Sequence, residues 1–289
     1  MANTVIYKED WTVKLQETLD APTFWKDVCR VDFTTSKVLH NPYQSNAAAA
    51  SYTRGAAYTY ADFTVTDDSV DINTSQVVAE FIDRADLAQT GYDLQMERAV
   101  RQGEEINLTI EQAFVGDYAN MTDFDNTEIG GGAGDITLSA TNVDDVVRAV
   151  KKKILAANGG DMYVRQGGFI IWDPTAFELL ESFAMANGFV TQDSALGGGV
   201  DGVNGFNYMG FTHYVSNSLT TETNTLHVVA GVKKTYHLGI LSSTFGDVMV
   251  DDKDPNLQSG IGIVSRVDYK GKVWNNVSGL IYDVQIDRS

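Results

Sequence analysis

An alternating acidic stretch at residues 57–72 runs into a long polar segment whose apolar or small residues recur in steps of three and four: Met96, Ala99, Gly103, Ile106, Ile110 and Ala113. That period is a helix with one narrow buried seam, predicted over residues 93–118. The rest of the segment is Glu, Arg, Gln, Asn and Thr, so the helix lies across a sheet or a subunit surface and is open on most sides. The alternating stretch, Tyr58-Thr59-Tyr60-Ala61-Asp62-Phe63-Thr64-Val65-Thr66, then Asp67-Asp68-Ser69, then Val70-Asp71-Ile72-Asn73, predicts two antiparallel strands around a tight turn. An isolated hairpin is marginal in water. Between Gly55 and Asp83 stand Asp62, Asp67, Asp68, Asp71, Glu80 and Asp83 with no base, so this arm needs another surface, best one of opposite charge.

The remaining segments follow from local signals. Residues 1–46 show no clean period; a short helix at 12–19 fits, and Tyr7, Trp11, Phe24, Trp25, Phe33 and Tyr43 need burial on the rest of the molecule or on a neighbour. A second helix is predicted over 141–157, with Thr141 as cap, Asp144 three residues on, and Val143, Val146, Val147, Val150, Ile154 and Leu155 inward. Asn158-Gly159-Gly160 ends it, and Lys151, Lys152 and Lys153 suit its C-terminal dipole. Residues 168–172 form a buried strand, and Asp173-Pro174 opens a third helix with Phe177, Leu180 and Phe183 inward. Strands follow at 211–216, 226–231 and 234–241, then at 262–269, 272–274 and 279–285. Strand alternating with helix marks an α/β layered region, and the chain as a whole is α+β.

Charge and chemistry narrow the function. With 21 Lys and Arg against 39 Asp and Glu, the net charge of −18 opposes nucleic-acid binding, which needs a basic face. It suits the wall of a container that must not stick to DNA, as well as an ordinary acidic protein or one adapted to high salt. Cys29 is the only cysteine, so an internal disulfide is excluded; it reads as a small packed hydrophobe with no base beside it. No apolar run reaches the roughly 18 residues of a membrane span, and MANTVIYKEDW has no signal-peptide core. The loop Ile129-Gly-Gly-Gly-Ala-Gly-Asp135 lacks the Gly-Lys-Ser/Thr ending of a phosphate cradle. His40, His213, His227 and His237 show no ligand spacing. Asp123-x-Asp125-Asn126-x-Glu128 and Asp251-Asp252-x-Asp254 are solvated acidic loops or calcium ligands. No Gly-x-Ser-x-Gly elbow occurs, and the chain reads as a non-enzyme with no cofactor.

The order arm, long helix, α/β region and β-rich return resembles the major capsid proteins of tailed phages, the Hong Kong 97 type fold. The stretch Gly168-Phe-Ile-Ile-Trp-Asp-Pro-Thr-Ala-Phe-Glu-Leu-Leu resembles the strand-then-helix of that family's axial domain. Gly205-Phe206 and Gly210-Phe-Thr-His-Tyr-Val-Ser-Asn217 resemble a later element of it. The resemblance implies an N-terminal arm at 1–46, an extended arm loop at 47–82, a peripheral domain with its spine helix at 83–135, an axial domain at 136–244, and returning peripheral strands and loop at 245–289. It implies subunits that form hexamers and pentamers of an icosahedral head around double-stranded DNA, assembled in host cytoplasm and ending in the virion. A separate scaffolding protein, a portal and a cement protein are the implied partners. Inter-subunit contacts are expected at Tyr58, Tyr60, Phe63, Val65, Asp67 and Asp68 on the arm, at Trp11 and Trp25, and at Asp252 and Asp254 in the 251–260 loop. No Lys occurs between Lys37 and Lys151, so a lysine crosslink from the arm is not expected. The rival readings are a β-rich tail or tube protein, an encapsulin-like compartment shell and, third, a hydrolase.

Overall fold

A computed structural model describes residues 23–44, 62–84, 94–157, 160–186, 206–246, 248–251 and 260–288, with isolated positions between 49 and 60. Two sheets and five helices carry the fold among these residues. The first sheet has the order β1 (Arg30–Thr34), β11 (Tyr236–Leu241), β13 (Gly260–Val273), β12 (Val248–Asp251), with β4 (Thr74–Asp83) on the other side of β13. The second has the order β5 (Thr122–Phe124), β14 (Ile281–Asp287), β10 (Thr225–Val232), β6 (Gly168–Trp172), β8 (Phe211–Val215), β7 (Phe206–Tyr208), with β9 (Thr221–Glu222) on β10. A separate two-stranded ribbon pairs β2 (Val38–Gln44) with β3 (Val65–Asp71).

The long seam folds as predicted into α2 (Leu94–Val115), which packs on β13 and β4. Ile106, Ile110, Phe114 and Val115 are buried along it. Two polar residues share that seam and escaped the sequence pattern: Gln102 and Glu111 are both buried. The Gln102 side-chain amide donates to the Ile263 carbonyl at 3.0 Å and to Glu80 at 3.2 Å, and its own oxygen accepts from Ser265 Oγ at 2.8 Å. Each buried polar atom of Gln102 is thereby satisfied, so a polar residue stands where the period asks for an apolar one.

The second sheet is covered on both faces. Ile170, Trp172, Val228, Ala230, Val232, Tyr282 and Val284 pack under α3 (Val143–Ala156) and α5 (Pro174–Ala186), with the short α4 (Gly160–Gln166) beside them. Phe169, Ile171, Val229 and Ile281 face the opposite way, against α2 and α1 (Trp25–Val28). Burial of β6 is therefore continuous rather than alternating, as in any strand packed on two sides. The predicted caps divide. Asp173 accepts from the backbone N–H groups of Thr175 and Ala176, both at 3.0 Å, as expected. At α3 the residue before the helix is Asn142, not Thr141; its side chain ties Ser139 N and the Thr137 carbonyl and so braces the incoming turn.

Three strand expectations are corrected. Asp67-Asp68-Ser69 is no turn: it lies inside β3, whose partner is β2, with Leu39 opposite Val70 and Pro42 opposite Asp67. After β3 the chain passes through Ile72 and Asn73 into β4, which pairs with β13 from Thr74 opposite Tyr269 to Asp83 opposite Gly260. Residues 262–269 and 272–274 do not form two strands but one of 14 residues, β13, because Gly271 continues the ladder opposite Leu238. The last strand does not rejoin the first sheet; β14 lies between β5 and β10 in the second, where Ile281, Val284 and Ile286 are buried on its faces. The possible helix at 12–19, the glycine-rich segment at 195–205 and most of the 251–260 loop lie outside the described residues.

Candidate inter-subunit surface

The ribbon β2–β3 is the structural basis of the arm. Its root is held by charge. Asp68 is buried, and its carboxylate accepts from Lys272 Nζ at 2.5 Å and from the backbone N–H of Asn275 at 3.0 Å. The same ammonium reaches the Ser69 carbonyl at 2.8 Å and lies over the Trp274 ring, 5.4 Å from its centroid. Burial pushes the Asp68 carboxyl up, and the Asn275 N–H with the Lys272 ammonium more than reverses this, leaving it below its ordinary value. The opposite charge that the acidic arm demands thus comes, at the root, from the chain's own β13. One step further out, His40 Nδ1 and Asp67 Oδ2 are 2.7 Å apart and both half exposed.

A second connection reinforces the root. Trp274 Nε1 donates to His237 Nδ1 at 2.7 Å, which leaves His237 Nε2 to donate to Asp32 Oδ2 at 2.6 Å. Trp172 and His213 repeat the device in the second sheet: Trp172 Nε1 donates to His213 Nδ1 at 2.7 Å, and His213 Nε2 donates to the Tyr208 carbonyl at 3.2 Å. With one ring nitrogen accepting and the other donating to a neutral carbonyl, His213 is held neutral, and burial pushes its pKa down to about 4. Both histidines are satisfied core residues.

Beyond the root, the large apolar side chains among the described residues of the arm are exposed. Tyr60 is 90% exposed, Phe63 70% and Val65 57%. Three apolar side chains so open within six positions belong to neither core cluster. A second open surface lies on the first sheet. Val77 and Phe81 on β4 share one face, opposite Arg266 and Gly262, and both are exposed, as is Met249 on the edge strand β12 opposite Val264. The other face of the same sheet is covered by α2.

The expected contact residues therefore separate. Tyr60, Phe63 and Val65 are open; Asp67 is half open. Asp68 is buried and engaged within the chain, by the Lys272 ammonium and the Asn275 N–H. Trp25 is also corrected: it is buried in the core with Phe24, Val28 and Phe114, and Lys26 lies over its ring. Tyr58, Trp11, Asp252 and Asp254 lie outside the described residues.

The chemical alternatives find little support. Cys29 is buried and its thiol is pushed far up by that burial, the reverse of a nucleophile's environment. Asp125 caps Thr127, and Glu128 pairs with Lys153 at 2.5 Å, so that loop spends its acids on its own backbone and on α3. Among the described residues no group of three His, Cys, Asp or Glu side chains is placed to hold a metal ion. No helix among them is long and apolar enough to cross a membrane. Two open grooves flank the arm root, of about 430 and 480 Å³; Asp71 and Asn73 line both, with Lys270 in the first and Val38, Leu241 and Arg266 in the second.

Comparison with solved structures fixes the fold. A chain from Mycobacterium phage Che8 superposes with a TM-score of 0.68 at 17% identity, covering 99% of each chain. The capsid of Ralstonia phage GP4 gives a TM-score of 0.70 at 10% identity, covering 100% of this chain and 99% of that one. The holo-SrpI encapsulin complex from Synechococcus elongatus gives 0.60 at 8% identity, covering 98% and 94%. No protein-family model matches the sequence, and no curated protein matches it significantly. The chain has the Hong Kong 97 type fold of tailed-phage major capsid proteins, an α+β architecture shared over its whole length.

Proposed function

We propose that this chain is the major capsid protein of a tailed phage, the repeating subunit of an icosahedral head. The observation that carries the reading is the open apolar arm tip, Tyr60, Phe63 and Val65, on a chain whose fold matches capsid subunits end to end. A side chain such as Phe63 stays in water only until a neighbour covers it, and obligate shells bury large apolar areas of this kind. In this reading residues 1–46 are the N-terminal arm, 47–82 the extended loop, 83–135 the peripheral domain with its spine helix, 136–244 the axial domain and 245–289 the peripheral return, save that the final strand contributes to the axial sheet. Subunits join as hexamers and pentamers, with the arm laid over a neighbour. The net charge of −18 keeps the inner wall from binding the enclosed double-stranded DNA. A scaffolding protein, a portal and a cement protein are the partners the reading implies, and the shell is assembled in host cytoplasm.

An encapsulin-like compartment is the second reading, favoured by the match to the Synechococcus encapsulin. The two differ in contents: co-purified DNA points to a head, a co-purified protein cargo to a compartment.

Deleting the arm tip, residues 47–63, tests the assembly claim while leaving the Asp68–Lys272 root in place. The expected result in sedimentation is fast particles from the intact chain, co-expressed with its scaffold, and slow subunits from the deletion with an unchanged unfolding midpoint. Particles from the deletion at normal yield would remove the arm from the mechanism.

A further inference from the structure

The first sheet has a vacant row. β11 and β12 lie on the same flank of β13, β11 opposite residues 269–273 and β12 opposite residues 262–265, while β4 takes the other flank. β1 covers the outer edge of β11, and that pairing stops at Thr34 opposite Leu241. No strand among the described residues covers the outer edge of β12. This edge carries Val248, Met249 and Val250, all three exposed. Open strand edges are ordinarily charged or covered, because their unpaired N–H and C=O groups template another strand. Here the only charges are the acids that flank the apolar run, Asp247 and Asp251.

A strand that fits this edge has three apolar, β-favouring residues in a row and a cation at one end. Thr4-Val5-Ile6-Tyr7-Lys8, outside the described residues, is such a run. Laid antiparallel with Ile6 opposite Met249, it sets Lys8 opposite Asp247, Tyr7 opposite Val248, Val5 opposite Val250 and Thr4 opposite Asp251. These are an ion pair, an aromatic against a β-branched residue, two apolar pairs and a hydroxyl against a carboxylate, each favourable across strands. Met249 shares the open sheet face with Val77 and Phe81, so Ile6 in this register widens that apolar face. The tether is long enough. The described chain begins at Thr23 and enters through α1 beside the start of β11, where the Lys234 N–H donates to the Val28 carbonyl at 2.7 Å. The first residues of β11 and β12 stand opposite Val273 and Ser265, eight positions apart, about 27 Å at the rise of a strand. Residues 9–22 reach roughly 46 Å fully extended and about 30 Å with 12–19 helical. An antiparallel strand also leaves β12 in the direction of that entry point.

We propose that residues 4–8 add a sixth strand to the five-stranded first sheet, antiparallel on the free edge of β12 in the same chain. The added strand pairs the open backbone groups of β12 and covers its apolar side chains. Its use is protective: with this edge open, a lone chain pairs edge to edge with other copies. The proposal concerns one chain by itself and does not rest on the capsid reading.

Two measurements on the unassembled chain test it. Hydrogen exchange in the peptide covering residues 246–251 is compared between the full-length chain and a chain lacking residues 1–8. The expected result is exchange about tenfold or more slower in the full-length chain, with the protection also lost in Ile6→Pro, which removes a ladder donor. Equal rates in the full-length and shortened chains would overturn the proposal. The second measurement oxidises the double variant Ile6→Cys, Met249→Cys under mild conditions; the native Cys29 is buried and stays out of the reaction. A disulfide within one chain, at monomer mass on a non-reducing gel, is expected. Crosslinked dimers would put the strand on another copy's edge, and no crosslink would remove the pairing; either result overturns the proposal. The exchange comparison involves no core substitution, so a double variant that fails to fold does not shelter it. Failure here would leave the shell assembly itself untouched.

Discussion

At the scale of single residues, the buried charge of Asp68 is the most exposed to test. Lys272→Met removes its cation and leaves the carboxylate with the Asn275 N–H, and breaking a buried pair on one side typically costs more than the pair is worth. We expect a loss of about 2–3 kcal/mol in urea unfolding of the unassembled chain, with most of it regained in Asp68→Asn combined with Lys272→Met. His213 makes a second, pH-dependent claim. Its folded pKa, about 4, lies below the unfolded value near 6.5, so the folded form resists protonation. Its contribution is complete above pH 6.5 and is lost as pH falls toward 4, amounting to roughly 3 kcal/mol at the acid end. Denaturant midpoints measured between pH 7 and 4 should show this slope in the native chain and lose it in His213→Gln. Neither residue was legible beforehand. Asp68 looked like turn chemistry because Asp-Asp-Ser usually is, and its anchor, Lys272, lies over two hundred positions away. His213 carries no local signal; its partner Trp172 is found only once β6 and β8 pair in parallel.

At the scale of elements, period was the reliable guide and pairing was not. The helices α2, α3 and α5 were visible because their apolar spacing is set within the helix itself. The partner of β3 is set by the whole molecule, so a local reading chose the nearest candidate, residues 70–73, over β2 across the arm. The same limit hid the place of β14, which looks like any strand following β13. Gly271 shows why β13 runs unbroken and how little tolerance it has. A Cβ there would strike the Tyr236 ring and hydroxyl on the neighbouring β11. Gly271→Ala is expected to cost about 1–3 kcal/mol, read as a lowered thermal midpoint, because Tyr236 is buried between Phe114 and Asp117 and cannot step aside. An unchanged midpoint would mean that β13 yields at this point.

At the scale of the whole molecule, the α+β class was legible and the burial of single aromatic residues only partly so. Tyr60, Phe63 and Val65, expected as contacts with a neighbour, are exposed in the single chain; Trp25, also expected as such a contact, is buried in the chain's own core. The difference is physical: an aromatic near a chain end is buried by whatever packs on it, and α2 with β8 packs on Trp25. What remains is a chain with a charged, anchored arm root, exposed apolar side chains at Tyr60, Phe63 and Val65 and an open sheet face around Val77, Phe81 and Met249, on a fold shared with phage capsid structures. The most direct test of the central claim is electron microscopy of the purified chain, co-expressed with the scaffolding protein that the proposed function implies. The account predicts closed shells or six-fold rings, with residues 60–65 of each chain lying on its neighbour. A monodisperse single subunit under those conditions would contradict it.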